Sequence, residues 1–224
     1  MARKLITERE ILEAARRGLK SLAVEPGTVM TPSAKDAAAQ YGIELSERIS
    51  VTGSTSLASI EMLGPKDKNS PLATTVVAIG SDHGGFQLKN VLKQYLQDLG
   101  YSIADVGTHS EQACDYPDFA YAVASMVGRG DAHKGIMIDG VGVASAIVAN
   151  KVPGVRAVPC SDEFVARSSR EHNDANVLTL GGRVVGTEVA KAIVKVWLET
   201  WFGGGRHQER IRKISEIEKK FSKT

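Results

Sequence analysis

An α/β fold with a doubly wound, five-stranded parallel sheet, a Rossmann-like three-layer sandwich, follows from three features of this sequence. Short apolar runs recur at VVAIG (76–80), SIADV (102–106), GIMID (135–139), VRAVP (155–159) and VLTL (177–180), β-branched as strands buried on both faces should be. Amphipathic stretches separate them. Leu88, Val91, Leu92, Tyr95, Leu96 and Leu99 share one helical face, as do Val189, Ile193, Val194, Trp197 and Trp201. Glycine-rich polar segments follow the first and third runs, where an open sheet of this kind receives its ligand.

Before the first run lies a small α/β appendage. Thr7 and Glu10 have capping-box spacing, and Ile11, Leu12, Ala15 and Leu19 follow at helical intervals to about Gly18–Lys20. The next stretch, SLAVEPGTVMTPSAKDAAAQYGIEL, predicts a short strand, a Pro-Gly turn and a second helix with Thr31 as cap and Pro32 at its first position. Residues 1–47 therefore form a small N-terminal module, marginal by itself. Residues 48–73 are rich in Ser, Thr, Gly, Pro and Lys without a sustained period and read as a flexible linker, leaving 74–224 as the main domain. At the far end a last helix carries Ile211, Ile214, Ile217 and Phe221 on one face, with Arg210, Arg212, Lys213, Lys219 and Lys220 outside it.

Composition narrows the function. At 224 residues with 42% hydrophobic and 24% charged side chains, the chain has a globular balance. A net charge of +2 and the absence of aromatic residues interleaved with basic ones argue against nucleic acid. Cys114 and Cys160 are far apart and outside any CxxC or Cys/His cluster, so neither a zinc site nor a disulfide framework is encoded. The opening MARKLITEREIL lacks the apolar core of a signal peptide, and no long apolar run suggests a membrane span, so a reduced cytoplasmic setting is expected.

The chemistry is expected beyond the carboxyl ends of strands one and three. The first loop is Gly80-Ser81-Asp82-His83-Gly84-Gly85, an acid and an imidazole beside glycines. The second is Asp139-Gly140-Val141-Gly142-Val143-Ala144-Ser145, whose backbone N–H groups and following helix could bind an anion or an oxyanion. An acid at the strand end beside such donors suits proton transfer alpha to a carbonyl. Gly140-x-Gly142 with Asp162 about twenty residues on also partly matches a dinucleotide fingerprint, but Ser145 occupies the third glycine position. Two later clusters add to the picture. Arg170-Glu171-His172-Asn173-Asp174-Ala175-Asn176 is a dense polar run, and Arg206 and Arg210, after three glycines, are spaced to grip a phosphate together.

The strings GSDHGGFQLK, DVGT, DYPDFA, VANKVPGVRAV, SREHNDANVLTLGGRVVG and GGRHQERI resemble the ribose-5-phosphate isomerase B and galactose-6-phosphate isomerase family over about 150 residues. The resemblance implies an aldose–ketose isomerase for a phosphorylated pentose or related sugar, without metal or cofactor, working through an enediol. Position by position it implies that Asp82 and His83 contact the sugar, that Tyr116 lines the pocket beside Gly140 and Gly142, and that His172 opens the furanose ring with help from Asn173. Arg183, Arg206, His207 and Arg210 would hold the phosphate. It also implies a homodimer or homotetramer whose sites are shared between subunits.

This sequence departs from the family where many members read Cys-Gly-Thr-Gly, the cysteine shuttling the proton and the threonine assisting the oxyanion. Asp139 and Val141 stand there instead. A branch lacking the cysteine uses a glutamate slightly later, where this chain has Val143-Ala144-Ser145-Ala146. The galactose-6-phosphate isomerase A subunit is similar in having Asp at the cysteine position, and it works beside a subunit that keeps the thiol. Three readings follow. Asp139 is itself the base, its pKa raised by an apolar pocket; or the protein binds sugar phosphates without turnover or needs a partner subunit; or the loop serves another substrate. The first is the working expectation. The N-terminal module is similar to a short segment of ethanolamine-utilisation and related bacterial microcompartment proteins, which implies an interaction or targeting role toward a shell or its cargo.

Overall fold

The computed structural model describes residues 5–6, 11, 15, 21–24, 29–47 and 60–222. It divides into two compact units, Met1–Ser56 and Leu57–Thr224. In the first unit, β1 (Leu5–Ile6) pairs in parallel with β3 (Val29–Met30), and β2 (Ser21–Val24) with β4 (Glu44–Glu47). Helix α1 (Pro32–Tyr41) begins as its sequence dictates: the Thr31 hydroxyl accepts from the Ala34 amide at 3.2 Å, and Pro32 fills the first turn. Ile6, Ile11, Ala34, Ala37, Ala38 and Ile43 make its small core. The expected Thr7–Glu10 capping box lies outside the described residues.

The second unit is a mixed six-stranded sheet in the order β5–β7–β6–β8–β10–β9. Its strands are β5 (Glu61–Leu63), β6 (Val76–Ser81), β7 (Ser102–Asp105), β8 (Lys134–Asp139), β9 (Ala157–Pro159) and β10 (Val177–Gly181). The five expected strands are all present and parallel. The sixth, β5, is antiparallel to β7 and comes from the segment read as linker. It carries no strand pattern of its own because it is a short edge with Glu61 and Met62 exposed. Tertiary bonds hold it instead: Lys93 Nζ lies 3.3 Å from Glu61 Oε2, and Gln97 Nε2 donates to the Gly64 carbonyl at 2.8 Å.

Helices α2 (Phe86–Asp98), α3 (Tyr116–Arg129), α4 (Val143–Ala149), α5 (Glu163–Asn173), α6 (Thr187–Glu199) and α7 (Arg206–Phe221) complete the unit. The strand period of two sorts side chains to the two faces. Val77, Ile79, Ile136, Ile138, Leu178 and Leu180 pack with Leu88, Leu92 and Leu96 of α2 and Ile193, Val194 and Trp197 of α6. Ala78, Met137 and Val177 face the other way, toward Phe119, Ala120 and Val123 of α3 and Ala146 and Ala149 of α4. Two expectations need correcting. Trp201 is not on the α6 stripe: the helix stops at Thr200, whose backbone turns extended, and Trp201 is 87% exposed. On α7 only Ile211 of the apolar face is buried, while Ile214, Ile217 and Phe221 are exposed.

One buried ion pair fixes α2 to the sheet. Lys89 is fully buried, and its ammonium lies 2.8 and 2.7 Å from the two carboxylate oxygens of Asp105, which also accepts from Lys93 at 2.7 Å. Burial pushes the Lys89 ammonium below its ordinary pKa, and the carboxylate opposes that shift. A Lys89→Met variant strands a buried carboxylate with only Lys93 to balance it, so stability in chemical denaturation should fall by roughly 3 kcal/mol.

The chain runs from β6 to β7 on one side and places β8 on the other, so strand order reverses between β6 and β8. An open sheet of this architecture takes its ligand at that point, beyond the loops after these two strands.

Candidate functional site

Register sets the first half of the site. Ser81 pairs with Ile138 across β6 and β8, so the next residues, Asp82 and Asp139, emerge side by side at the carboxyl end of the sheet. The loops interlock tightly: a side chain at Gly85 would collide with the Ile138 carbonyl at 2.3 Å, so only glycine lets the turn after Asp82 approach β8. Asp82 is 7% exposed, and one carboxylate oxygen accepts from the Gly85 amide at 3.0 Å. Burial pushes its pKa up, the Gly85 amide and His83 pull it down, and the negative charge of Asp139 raises it again. His83 Nδ1 sits 3.3 Å from the Cys114 amide and 3.2 Å from its carbonyl. Tyr116 begins α3 and packs, half-buried, against the adjoining core cluster. Arg183 follows β10, exposed, and its amide donates to the Gly140 carbonyl at 3.1 Å. The structure thus brings Asp82, His83, Tyr116, Asp139, Gly140, Gly142 and Arg183 to one end.

Asp139 itself behaves differently from the expectation. It is 4% exposed, yet its pKa is lowered, not raised. Burial would raise it, but hydrogen bonds from Ser145, Gly142 and Val141 outweigh that cost. Oδ1 accepts from the Val141 amide at 2.7 Å and from the Gly142 amide; Oδ2 accepts from the Ser145 amide at 3.1 Å and from the Ser145 hydroxyl. Gly142, at φ 88°, makes the turn possible. The amides expected to receive a ligand's oxyanion therefore already hold an anion, and it is the protein's own.

The second half lies at the other end of the sheet. Helix α5 starts beyond the carboxyl edge and runs back, so His172 and Asn173 sit just before β10 begins. Helix α7 starts beside them: the Gly203 amide donates to the Glu171 carbonyl at 2.9 Å, and the rings of His172 and His207 stack with centroids 4.4 Å apart. Partial desolvation, with His172, Arg206 and Arg210 nearby, lowers the His207 pKa. Arg206 and Arg210 are exposed and one helical turn apart on α7, in the spacing expected of a phosphate clamp. His172 Nδ1 pairs with Ser168 Oγ at 3.2 Å, leaving Nε2 for a ligand. Asn173 is exposed, and its carbonyl accepts from Arg156 Nε at 3.0 Å. The five residues of β10 separate this group from the first by roughly 15 Å.

Three participants escape the sequence reading. Ser145 supplies an amide and a hydroxyl to Asp139 but registers in sequence only as a missing glycine. Ser168 was findable, since residues four apart share a helix face with His172. Cys114 leaves no signal, because its contact with His83 spans 31 positions of sequence. Among the described residues, no group of His, Cys, Asp and Glu could hold a metal ion, and no helix is long and apolar enough to cross a membrane.

Comparison with known proteins adds the family context. The family model described as Ribose/Galactose Isomerase matches residues 77–214, so the first unit lies outside it. The chain is 47% identical over 144 residues to the ribose-5-phosphate isomerase B of Escherichia coli, covering 64% of this chain and 97% of that protein. It is 39% identical over 143 residues to the D-erythrulose-4-phosphate isomerase of Pectobacterium atrosepticum, covering 63% and 94%. A solved ribose-5-phosphate isomerase B from Clostridium thermocellum matches with a TM-score of 0.65 and 51% identity, over 66% of this chain and 100% of that one.

Proposed function

This chain belongs to the ribose/galactose isomerase family, and we propose that it interconverts the aldose and ketose forms of a phosphorylated pentose, of the ribose 5-phosphate/ribulose 5-phosphate type, or a related sugar phosphate. The observation that carries this reading is the pair of neighbouring carboxylates, Asp82 and Asp139, at the strand-order switch, with one held low and the other pushed up in pKa. Such a pair offers one group that holds a proton more readily than an ordinary carboxylate and another that stays ionised. His172, its Nδ1 held by Ser168, opens the furanose ring through Nε2, and Asn173 assists. Arg206, His207 and Arg210, with Arg183, bind the phosphate.

The roughly 15 Å between the two groups supports a site completed by a second copy, one protomer giving Asp82 and the glycine turn and the other giving His172 and the α7 arginines. An NMR or coupled assay with ribose 5-phosphate and other sugar phosphates of four to six carbons tests the function. Interconversion of at least one is expected. A His172→Asn variant makes a sharper prediction. A tetrose 4-phosphate carries its phosphate on the one hydroxyl that could close a five-membered ring, so it needs no ring opening. The variant should lose ~100-fold or more in kcat on a pentose phosphate and far less on the tetrose.

One observation favours a second reading, binding without turnover or turnover only with a partner subunit that supplies the base: the Asp139 carboxylate occupies the turn's amides. Binding without conversion in the same assay would select it. For residues 1–47 we propose an interaction or targeting module that engages a microcompartment shell or its cargo, supported by a compact unit of its own and by its position outside the family match. Fused to a fluorescent protein, this segment should direct it to such a shell; uniform fluorescence would reject the idea.

A further inference from the structure

We infer that Asp82, rather than Asp139, carries the proton between the two carbons of the sugar; the inference rests on the isomerase reading above. A base for enediol chemistry needs an oxygen lone pair that can reach the substrate and is not already committed. Asp139 has none to give. Both of its oxygens accept two donors each, from Val141, Gly142 and Ser145, and all four bonds fall within the turn itself. Proton uptake there would break the hydrogen bonds that hold the turn. Asp82 is one strand over in direct register, at the same end of the sheet and at the same strand-order switch. Among the described residues its Oδ1 accepts from the Gly85 amide at 3.0 Å, with the Gly84 amide also close enough to favour the ionised form, while Oδ2 makes no hydrogen bond.

The two acids divide the labour. Asp139, ionised and fixed, organises the turn and places a negative charge beside Asp82; that charge and burial favour the protonated form of Asp82. Asp139 is therefore a positioning residue, and the neighbouring strand supplies the base. In the aldose-to-ketose direction, Asp82 takes the proton from C2. The C2–H bonding pair becomes the C1=C2 double bond, and the carbonyl π pair moves to O1, giving an enediolate. Asp82 then returns the proton to C1 while the O2 hydroxyl proton passes to O1, leaving a carbonyl at C2. No oxidant, metal or second substrate is required.

The test uses the full-length chain and a sugar phosphate that the wild type converts, followed in D2O by NMR for turnover and for deuterium entering C1 or C2. Asp82→Asn should lower both by ~1000-fold or more, with the apparent binding constant for the sugar phosphate changed less than about tenfold and the melting temperature equal or higher. Asp82→Glu, which keeps the acid on a longer arm, should recover measurable exchange and guards against a folding artefact in the first variant. Wild-type turnover together with Asp82→Asn within tenfold of it overturns the assignment and leaves the isomerase reading standing. A wild type that neither converts nor exchanges any sugar phosphate overturns the isomerase reading, and this assignment with it.

Discussion

Replacing Asp139 with alanine is expected to lower stability by roughly 4 kcal/mol, the sum of losing the acceptor for two buried amides, with the Val141 amide and the Ser145 hydroxyl partly recovered by water. Gly142 and Ser145 are buried in the turn, and among the described residues their amides have no acceptor other than Asp139. The loss should appear as a lower denaturation midpoint with little change in slope. Its pH dependence has a defined sign. The folded-state pKa of Asp139 lies below the ordinary 3.8, so its stabilisation is fully present above pH 3.8 and is lost as pH falls through the folded value. The stability gap between wild type and variant should therefore narrow as pH falls below 3.8. Asp82 has the opposite sign: its raised pKa favours the fold below 3.8 and the advantage is lost as pH rises through the folded value, so Asp82→Asn should be neutral or stabilising at pH 7. A stabilising change at one acid and a destabilising change at its neighbour is the behaviour of a base beside a structural anion. Equal and large losses at both would mean that the two act only as one structural unit.

The second large effect is complementation between two inactive chains. Asp82→Asn removes the proton carrier at one end of the sheet and His172→Asn the ring-opening group at the other. If each site combines ends from two copies, a mixed dimer of the variants contains one site with both lesions and one with neither. Unfolding and refolding an equal mixture gives half mixed dimers, so about a quarter of wild-type specific activity should return on a pentose phosphate. Activity no higher than that of the separate variants would exclude a site shared in this way. Light scattering on the same samples checks that the variants assemble alike.

The parts of this molecule that were legible in sequence are those whose physics is local or periodic. Five parallel strands, the cap at Thr31 and the helices at Leu88 and Val189 follow from spacing alone, because a half-buried element must repeat its apolar positions at its own period. The edge strand at Glu61–Leu63 has no such repeat, since its partners are the open side of β7 and the side chains of Lys93 and Gln97. Trp201 fits the α6 period but lies beyond its end, because periodicity cannot register where the backbone leaves the helix.

For the site, sequence alone determined which residues are present: the acid and imidazole after β6, the glycine turn after β8, the histidine at the end of α5 and the arginines of α7. It also determined that Asp139 and Val141 stand where the family resemblance leads one to expect a thiol and a hydroxyl. Only the tertiary structure decided what those residues face. It split them between two ends of one sheet, and it turned Asp139 inward, onto the amides of its own loop, while Asp82 Oδ2 makes no hydrogen bond among the described residues. The reason is that a carboxylate's basicity is set by the donors around it and by its distance from other charges. Those donors come from residues up to six positions away, folded back by a glycine at positive φ, and the neighbouring charge comes from a strand more than fifty residues distant in sequence, so no local pattern encodes them.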